Sequence, residues 1–394
     1  MRIAFATPEY ITEQNYYGGL ANYLQRLAQV LTLHGHEVHI ITYSEAAAGH
    51  FLHDDIHIHR VIAKNSLFWL NRLTRWRLME TAYILSHSWQ TYLTLKALHQ
   101  AQPLDLIQYA NYRLPGLFAA NLLPVPYTVR ASSFTAAWNA ALARPHTLDR
   151  RIGEWLEAVH FRACRYIFAP SFALANMLSE ELGLRSITVI PSPFYIEVSL
   201  QDPSVFNSFL KNKNYLLYFG RLQRHKGFEV LAQALPQVLQ QCSDMHVAIV
   251  GEDLPTQKHS SMREYARQLA GAQAQRLVFI DSLKHEQLYP IIENARLIVL
   301  PSLIDNLPNA CLESMGLGRP VVGTRGASFD ELIEDQNTGF LVEPDNVEAL
   351  TSILITAWYR EDLDEIGLRA KKRIEQLHPQ HTVAELLAYY RTLM

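Results

Sequence analysis

Little in this sequence points to covalent cross-links, to a metal centre or to membrane insertion. The 394 residues hold three cysteines, Cys164, Cys242 and Cys311, standing far apart. Isolated thiols argue against a disulfide framework and a zinc-type ligand set, and they fit a reducing compartment. No apolar run approaches the ~20 residues that a bilayer-spanning helix needs. The chain enters a strand at residues 3–6, so no secretory leader is expected. Charge is sparse and nearly balanced: 35 Lys+Arg against 38 Asp+Glu leave −3, which speaks against a nucleic-acid partner. Residues 1–200 carry 16 basic and 14 acidic residues, so neither half is a charged tail. No internal repeat and no low-complexity stretch is evident.

What remains is an ordinary globular composition, 49% hydrophobic and 19% charged, in a chain long enough for two domains. Residues 3–6 and 37–42 read as buried strands around a helix whose Leu20, Leu24, Leu27 and Leu31 fall at helical spacing and which Gly35 ends. Further strands are expected at 55–62, 104–109, 126–129, 166–169 and 188–190. A polar stretch at 197–214 reads as the linker. Strand–helix alternation then restarts, with strands at 215–219, 246–250, 277–280, 297–300, 320–323 and 339–342. The pattern predicts an α/β chain of two doubly wound, Rossmann-like domains, 1–200 and 205–378.

Two stretches carry the chemistry. Gly220-Arg221-Leu222-Gln223-Arg224-His225-Lys226-Gly227 follows the strand at 215–219, and Asp305 to Glu313, two carboxylates eight positions apart, follows the strand at 297–300. In an open parallel sheet the C-terminal strand ends share one crevice. Cations there suit a diphosphate and carboxylates suit hydroxyls. A nucleoside diphosphate sugar has both.

These residues resemble those of the retaining glycosyltransferases of family 4 (glycosyl transferases group 1). Gly-Arg-Leu-x-x-x-Lys-Gly matches at 220–227. Glu-x7-Glu matches as Asp305-x7-Glu313, followed by Ser314-Met315-Gly316-Leu317-Gly318-Arg319-Pro320. The resemblance runs along nearly the whole chain. It implies the GT-B fold, two Rossmann-like domains facing a central cleft, with an acceptor-binding first domain, a donor-binding second domain and the last helix, 380–394, crossing back onto the first. It also implies a hexosyltransferase that moves a sugar from a UDP- or GDP-sugar to an acceptor hydroxyl with retention, in glycan, polysaccharide or glycolipid synthesis. No metal and no cofactor are implied beyond the donor.

Under this resemblance Arg221 and Lys226 stabilise the leaving diphosphate, Gly220 and Gly227 open the loop to it, and Glu313 binds the ribose. A solvated basic turn is the plain alternative for Arg221 and Lys226. Asp305 stands where the family has Glu, contacting the donor sugar. Its reach is shorter by ~1.5 Å, one carbon–carbon bond, and its alternative is a helix cap. Asn306, Leu307, Pro308 and Asn309 offer backbone amides, with Pro308 opening the next helix. Gly251, Glu252 and Asp281-Ser282-Leu283 fall where the family holds the base, and Gly251 and Leu283 are taken as donor contacts. Gly18 and Gly19 mark the loop that the family sets opposite the diphosphate, and Glu9 borders it. Arg130 replaces a histidine that many members have. A permanent cation is no base, so it is assigned to clamping an anion, against a structural ion pair. Arg224 and His225 are expected to be exposed.

Two other segments invite readings. His53, His57 and His59 with Asp54 and Asp55 suggest metal, but the spacing better fits a strand with Ile56 and Ile58 inward. Residues 64–77 interleave Phe68, Trp69 and Trp76 with Arg72, Arg75 and Arg77. That suits either an anionic membrane surface and lipid-linked acceptor or a helix packed on the domain. The expected location is cytoplasmic, peripheral at the inner face of a membrane. A nucleotide-sugar epimerase on the same fold and a nucleotide-sugar-binding subunit without turnover remain as alternatives.

Overall fold

The computed structural model describes residues 1–14, 19–63, 72, 74–142, 144–196, 201–255 and 259–394. The chain divides into two units, Met1–Pro193 with Leu377–Met394, and Phe194–Gln376.

Unit 1 is built on eight strands: β1 (Arg2–Thr7), β2 (Glu37–Tyr43), β3 (Gly49–His53), β4 (Ile56–Val61), β5 (Leu106–Ala110), β6 (Tyr127–Arg130), β7 (Ile167–Ala169) and β8 (Ile187–Val189). Their order is β3-β4-β2-β1-β5-β6-β7-β8. Every β1 residue is buried, as a parallel strand covered on both faces requires. Ile3 and Phe5 face Leu24, Leu27 and Leu31 of the helix Gly19–Leu33. Ala4 and Ala6 face the opposite layer, with Leu95 of the helix Met79–Ala101. The final helix, Pro379–Arg391, belongs to this unit. Tyr390 Oη donates to Gln108 Oε1 at 2.5 Å, and Val383 and Leu386 join the Ile3 layer.

The edge strand β3, which the sequence pattern does not announce, pairs antiparallel with β4. Asp54 and Asp55 between them both have positive φ, 51° and 60°, as a two-residue hairpin turn with the twist of its strands demands. On β4, Ile56 and Ile58 are buried. His39, His50, His57 and His59 stack ring on ring across β2, β4 and β3, at centroid distances of 4.5 to 5.3 Å. Burial first, then repulsion from neighbouring cations, pushes His59 down to about 3. Among the described residues no group of three or more His, Cys, Asp or Glu is placed to hold a metal ion, and no helix is long and apolar enough to cross a membrane.

Unit 2 is a six-stranded, wholly parallel sheet: β9 (Tyr215–Phe219), β10 (His246–Val250), β11 (Leu277–Ile280), β12 (Leu297–Leu300), β13 (Val321–Thr324) and β14 (Phe340–Val342). The order is β11-β10-β9-β12-β13-β14. Leu216 and Tyr218 of β9 pack with Leu231, Leu235 and Val238 of the helix Phe228–Gln241 and with Leu354 and Trp358 of the helix Val347–Trp358. From β9 the chain winds outward one way, and from β12 it winds the other. The reversal therefore falls between β9 and β12, where a doubly wound sheet leaves its ligand crevice.

Candidate active site

Both motifs sit at that reversal. β9 and β12 are direct neighbours, with Leu216 opposite Leu297. The stretch after β9 turns sharply at Gly220 (φ 133°), makes one turn of 3-10 helix, Arg224–Lys226, and enters the helix Phe228–Gln241 through Gly227 (φ 70°). A Cβ on Gly227 would lie 1.7 Å from the Pro301 carbonyl oxygen. Glycine is thus required both by the left-handed turn and by the backbone approach of the two motif loops. Gly251, after β10, is held in the same way: a Cβ there would lie 2.0 Å from the Gly220 carbonyl oxygen.

The approach brings the expected residues together in pairs. Lys226 Nζ meets Asp305 Oδ2 at 2.6 Å, while Asp305 Oδ1 accepts from the Asn306 backbone N–H at 3.0 Å. Both carboxylate oxygens are therefore engaged, one by the cation of the other motif. The helix-cap reading of Asp305 does not hold, because the residue at the N-cap of Asn309–Gly316 is Pro308. This also puts Pro308 just before that helix rather than in its first turn. Asn306 and Leu307 lie in the loop between β12 and this helix. Glu313, on the helix, is buried, and its Oε1 lies 3.3 Å from His285 Nε2. Arg221 and Arg224 are exposed on the first loop. His225 is not exposed as expected: the 3-10 turn folds it under, and its carbonyl accepts from the Leu303 N–H at 2.8 Å, tying the two loops once more.

Two contributors are unreadable from sequence. His285 opens the helix His285–Glu293, stacks on Tyr289 at 5.2 Å and reaches Glu313 across 28 positions. Arg263, on the helix Met262–Ala270, donates to the Gly251 carbonyl (2.8 Å), the Ile280 carbonyl (3.2 Å) and Asp281 Oδ1 (2.7 Å). It fastens the ends of β10 and β11 together. Leu283, just beyond, is half-buried. No local pattern marks either residue, because each acts on a partner distant in sequence, Arg263 on two strand ends and His285 on a helix.

In unit 1, Arg130 ends β6 and is 5% exposed. Its guanidinium donates to Ser192 Oγ at 2.9 Å and lies over the Tyr23 ring at 3.8 Å. No carboxylate pairs with it among the described residues, so the ion-pair reading is not realised. Its Nε has no hydrogen-bond partner there. Burial lowers its pKa, while the Tyr23 and Tyr390 hydroxyl groups oppose the shift. After β5, Asn111 Nδ2 donates to Glu157 Oε1 at 2.8 Å, and the Thr135 N–H donates to Oε2 at 2.9 Å. This buried carboxyl, pushed up to about 7 by burial, anchors the loop that follows Arg130. Gly19 is the first residue of its helix. Gly18 lies outside the described residues, as does most of 64–77.

Two α/β sheets, parallel apart from the β3 edge strand and each with its own core, and a cation–carboxylate site at a strand-order reversal define a GT-B architecture. Residues 17–197 match the family described as Glycosyltransferase Family 4, and residues 213–358 match Glycosyl transferases group 1. Between them the two matches span most of the chain, and the chain belongs to this glycosyltransferase family. It is 22% identical over 228 residues to the lipopolysaccharide 1,2-N-acetylglucosaminetransferase of Salmonella typhimurium, 56% of this chain and 60% of that enzyme. An uncharacterized glycosyltransferase of Methanocaldococcus jannaschii is 22% identical over 361 residues, 89% of this chain and 87% of its own. Among solved structures, sucrose-phosphate synthase from Thermosynechococcus elongatus superposes with a TM-score of 0.78 at 18% identity, over 100% of this chain and 98% of its own. Anabaena HepE in complex with UDP gives 0.72 at 18% identity, over 99% and 100%.

Proposed function

We propose that this chain transfers a sugar from a nucleoside diphosphate sugar, UDP- or GDP-linked, to an acceptor hydroxyl in glycan, polysaccharide or glycolipid synthesis, with retention of configuration. The observation that carries this reading is the meeting of Lys226 and Asp305, with Glu313 on the following helix, at the β9/β12 reversal. The UDP complexes of structural neighbours support it.

In this reading Arg221 and Lys226 face the diphosphate. An ammonium has three N–H donors, so Lys226 keeps Asp305 and still donates to phosphate. Asp305 orients Lys226 in addition to bordering the donor sugar. Glu313, held by His285, accepts from the ribose hydroxyls. Gly220, Gly251 and the amides of Asn306, Leu307 and Asn309 leave room and donors at the strand ends, and Leu283 borders the base. As the bond from the sugar C1 to the β-phosphate oxygen breaks, negative charge grows on the diphosphate, and fixed cations stabilise it most where water is excluded. The acceptor oxygen attacks C1 on the same face, and its proton passes to the departing phosphate oxygen. These cations do the work that a metal ion does elsewhere, so no metal is required. Arg130 adds a permanent charge behind the strand ends of unit 1. A nucleotide-sugar donor fits a cytoplasmic location.

The test is transfer itself. The protein is incubated with a panel of UDP- and GDP-sugars and glycan or glycolipid acceptors, and the product anomer is read by NMR. The reading predicts one donor consumed, with the anomeric configuration kept, and loss of turnover in Lys226→Ala. Binding without turnover on any acceptor would favour the non-catalytic subunit instead, and release of free sugar without transfer would favour the epimerase-type reaction.

A further inference from the structure

The helix Leu148–Ala163 is turned inside out. Its inner face carries Glu157 and His160, both buried, beside Phe161. Its outer face carries Leu148 and Trp155, exposed at 60% and 61%, with Val159 also exposed and Ile152 half-exposed. At 100° per residue these four side chains fall within a stripe about 60° wide. A surface helix of a soluble domain ordinarily puts such residues inward, so the stripe calls for a covering partner.

The charges around it say which. Arg151 and Arg162, both exposed, lie on one flank of the stripe, Arg162 Nε donating to the Leu182 carbonyl at 3.2 Å, and exposed Arg144, which donates to Asn139 Oδ1 at 3.4 Å, precedes the helix. The acids of this helix are turned away from the stripe, while Glu80 next to Met79 is exposed. Asp149 accepts from the backbone N–H groups of Glu80 (2.8 Å) and Thr81 (2.9 Å) at the start of the helix Met79–Ala101. Glu154 accepts from Asn139 at 2.7 Å, and Glu157 is buried. The Asp149 contact also brings exposed Arg77 and Met79 to the Leu148 end. A chain of net charge −3 thus gathers outward arginines beside its exposed Trp, Leu and Val. A second copy would set these arginines against their own equivalents, because a two-fold interface pairs a patch with itself.

We propose that this face docks on an anionic lipid bilayer: Leu148, Ile152 and Val159 enter the acyl boundary, Trp155 sits at headgroup level, and Arg151 and Arg162 take lipid phosphates. This goes beyond the sugar-transfer reading and does not rest on it. The test is co-sedimentation of the whole protein with vesicles of phosphatidylcholine containing phosphatidylglycerol, against phosphatidylcholine alone. Binding is expected to the anionic vesicles only and to fall with salt. Arg151→Gln with Arg162→Gln should weaken it about 30-fold, at about 1 kcal/mol per arginine. Trp155→Gln should weaken it at least about tenfold, and wild-type Trp fluorescence should shift to the blue on binding. Arg151, Trp155 and Arg162 are exposed, Arg162 with one bond to the Leu182 carbonyl, and unchanged melting temperatures verify that the variants fold. Three results overturn the proposal: no binding to anionic vesicles, wild-type binding by these variants, or concentration-dependent self-association without lipid that Trp155→Gln abolishes.

Discussion

Glu157→Gln is expected to change how the stability of unit 1 depends on pH. Glu157 is 2% exposed, and burial raises its folded-state value from 4.5 to about 7, against the lowering effect of the Thr135 and Asn111 hydrogen bonds. A raised folded value means that the native state binds the proton more tightly than the unfolded chain. The stabilisation is fully present below pH 4.5 and is lost as pH rises through about 7. Between pH 5 and pH 8 the group therefore withdraws about 2–3 kcal/mol. The buried histidines act in the opposite sense. His39 and His59 are lowered to about 4 and about 3, so their contribution is present above 6.5 and fades as pH falls. A pH scan of the wild type alone mixes the two. The difference between wild type and Glu157→Gln cancels the histidines and leaves the Glu157 term, whatever constant penalty glutamine brings. Urea unfolding at pH 5, 6, 7 and 8, read by hydrogen exchange of the β5 and β6 amides, measures it. The wild-type advantage should shrink by about 2–3 kcal/mol across this range. An advantage that stays level with pH would refute the assignment of a buried, proton-holding carboxyl at this place.

Gly227→Ala sets a Cβ 1.7 Å from the Pro301 carbonyl oxygen at a φ of 70°; at least about 2 kcal/mol of destabilisation should follow, seen as a lower melting temperature together with lost nucleotide binding. Asp305→Asn and Lys226→Ala should each cut turnover, with the double variant no worse than Lys226→Ala, because they act as one pair; additive losses in a double-mutant cycle would separate them. His285→Ala removes the partner of Glu313 and should weaken nucleotide binding by about 1 kcal/mol, roughly fivefold, with no further loss when added to Glu313→Ala. Arg130→Ala should lower turnover sharply while circular dichroism stays native, and unchanged turnover would remove Arg130 from the mechanism.

The strands that hold the site were legible because both of their faces are buried. Tyr215–Phe219 and Leu297–Leu300 read as unbroken apolar runs, and a run buried on both sides belongs to a parallel sheet. β3 was not legible: Gly-His-Phe-Leu-His is largely exposed at a sheet edge, and its pairing is set by the Asp54-Asp55 turn rather than by hydrophobic pattern. The residue types of the site were visible, since cations and carboxylates follow strands directly. Their partnerships were not. Lys226 with Asp305 and His285 with Glu313 are contacts made by topology, as neighbouring strand ends bring together residues far apart in sequence. The burial of His225 was not legible, because a tight turn between exposed Arg224 and half-buried Lys226 folds it under. The outward stripe on Leu148–Ala163 was hidden for a related reason: both faces of that helix carry large side chains, and only its packing against the helices Met79–Ala101 and Thr135–Ala141 decides which face is covered.

The central claim is that the β9/β12 reversal binds a nucleoside diphosphate through Arg221 and Lys226. Thermal unfolding with UDP, GDP and ADP, in the wild type and in Arg221→Ala/Lys226→Ala, addresses it most directly. A nucleotide at 100 times its dissociation constant should add ~2.7 kcal/mol, an upward shift of roughly 5–10 °C for a unit of this size. The account predicts such a shift with one nucleotide and its disappearance in the double variant. No shift with any nucleotide, or an equal shift in the double variant, would contradict it.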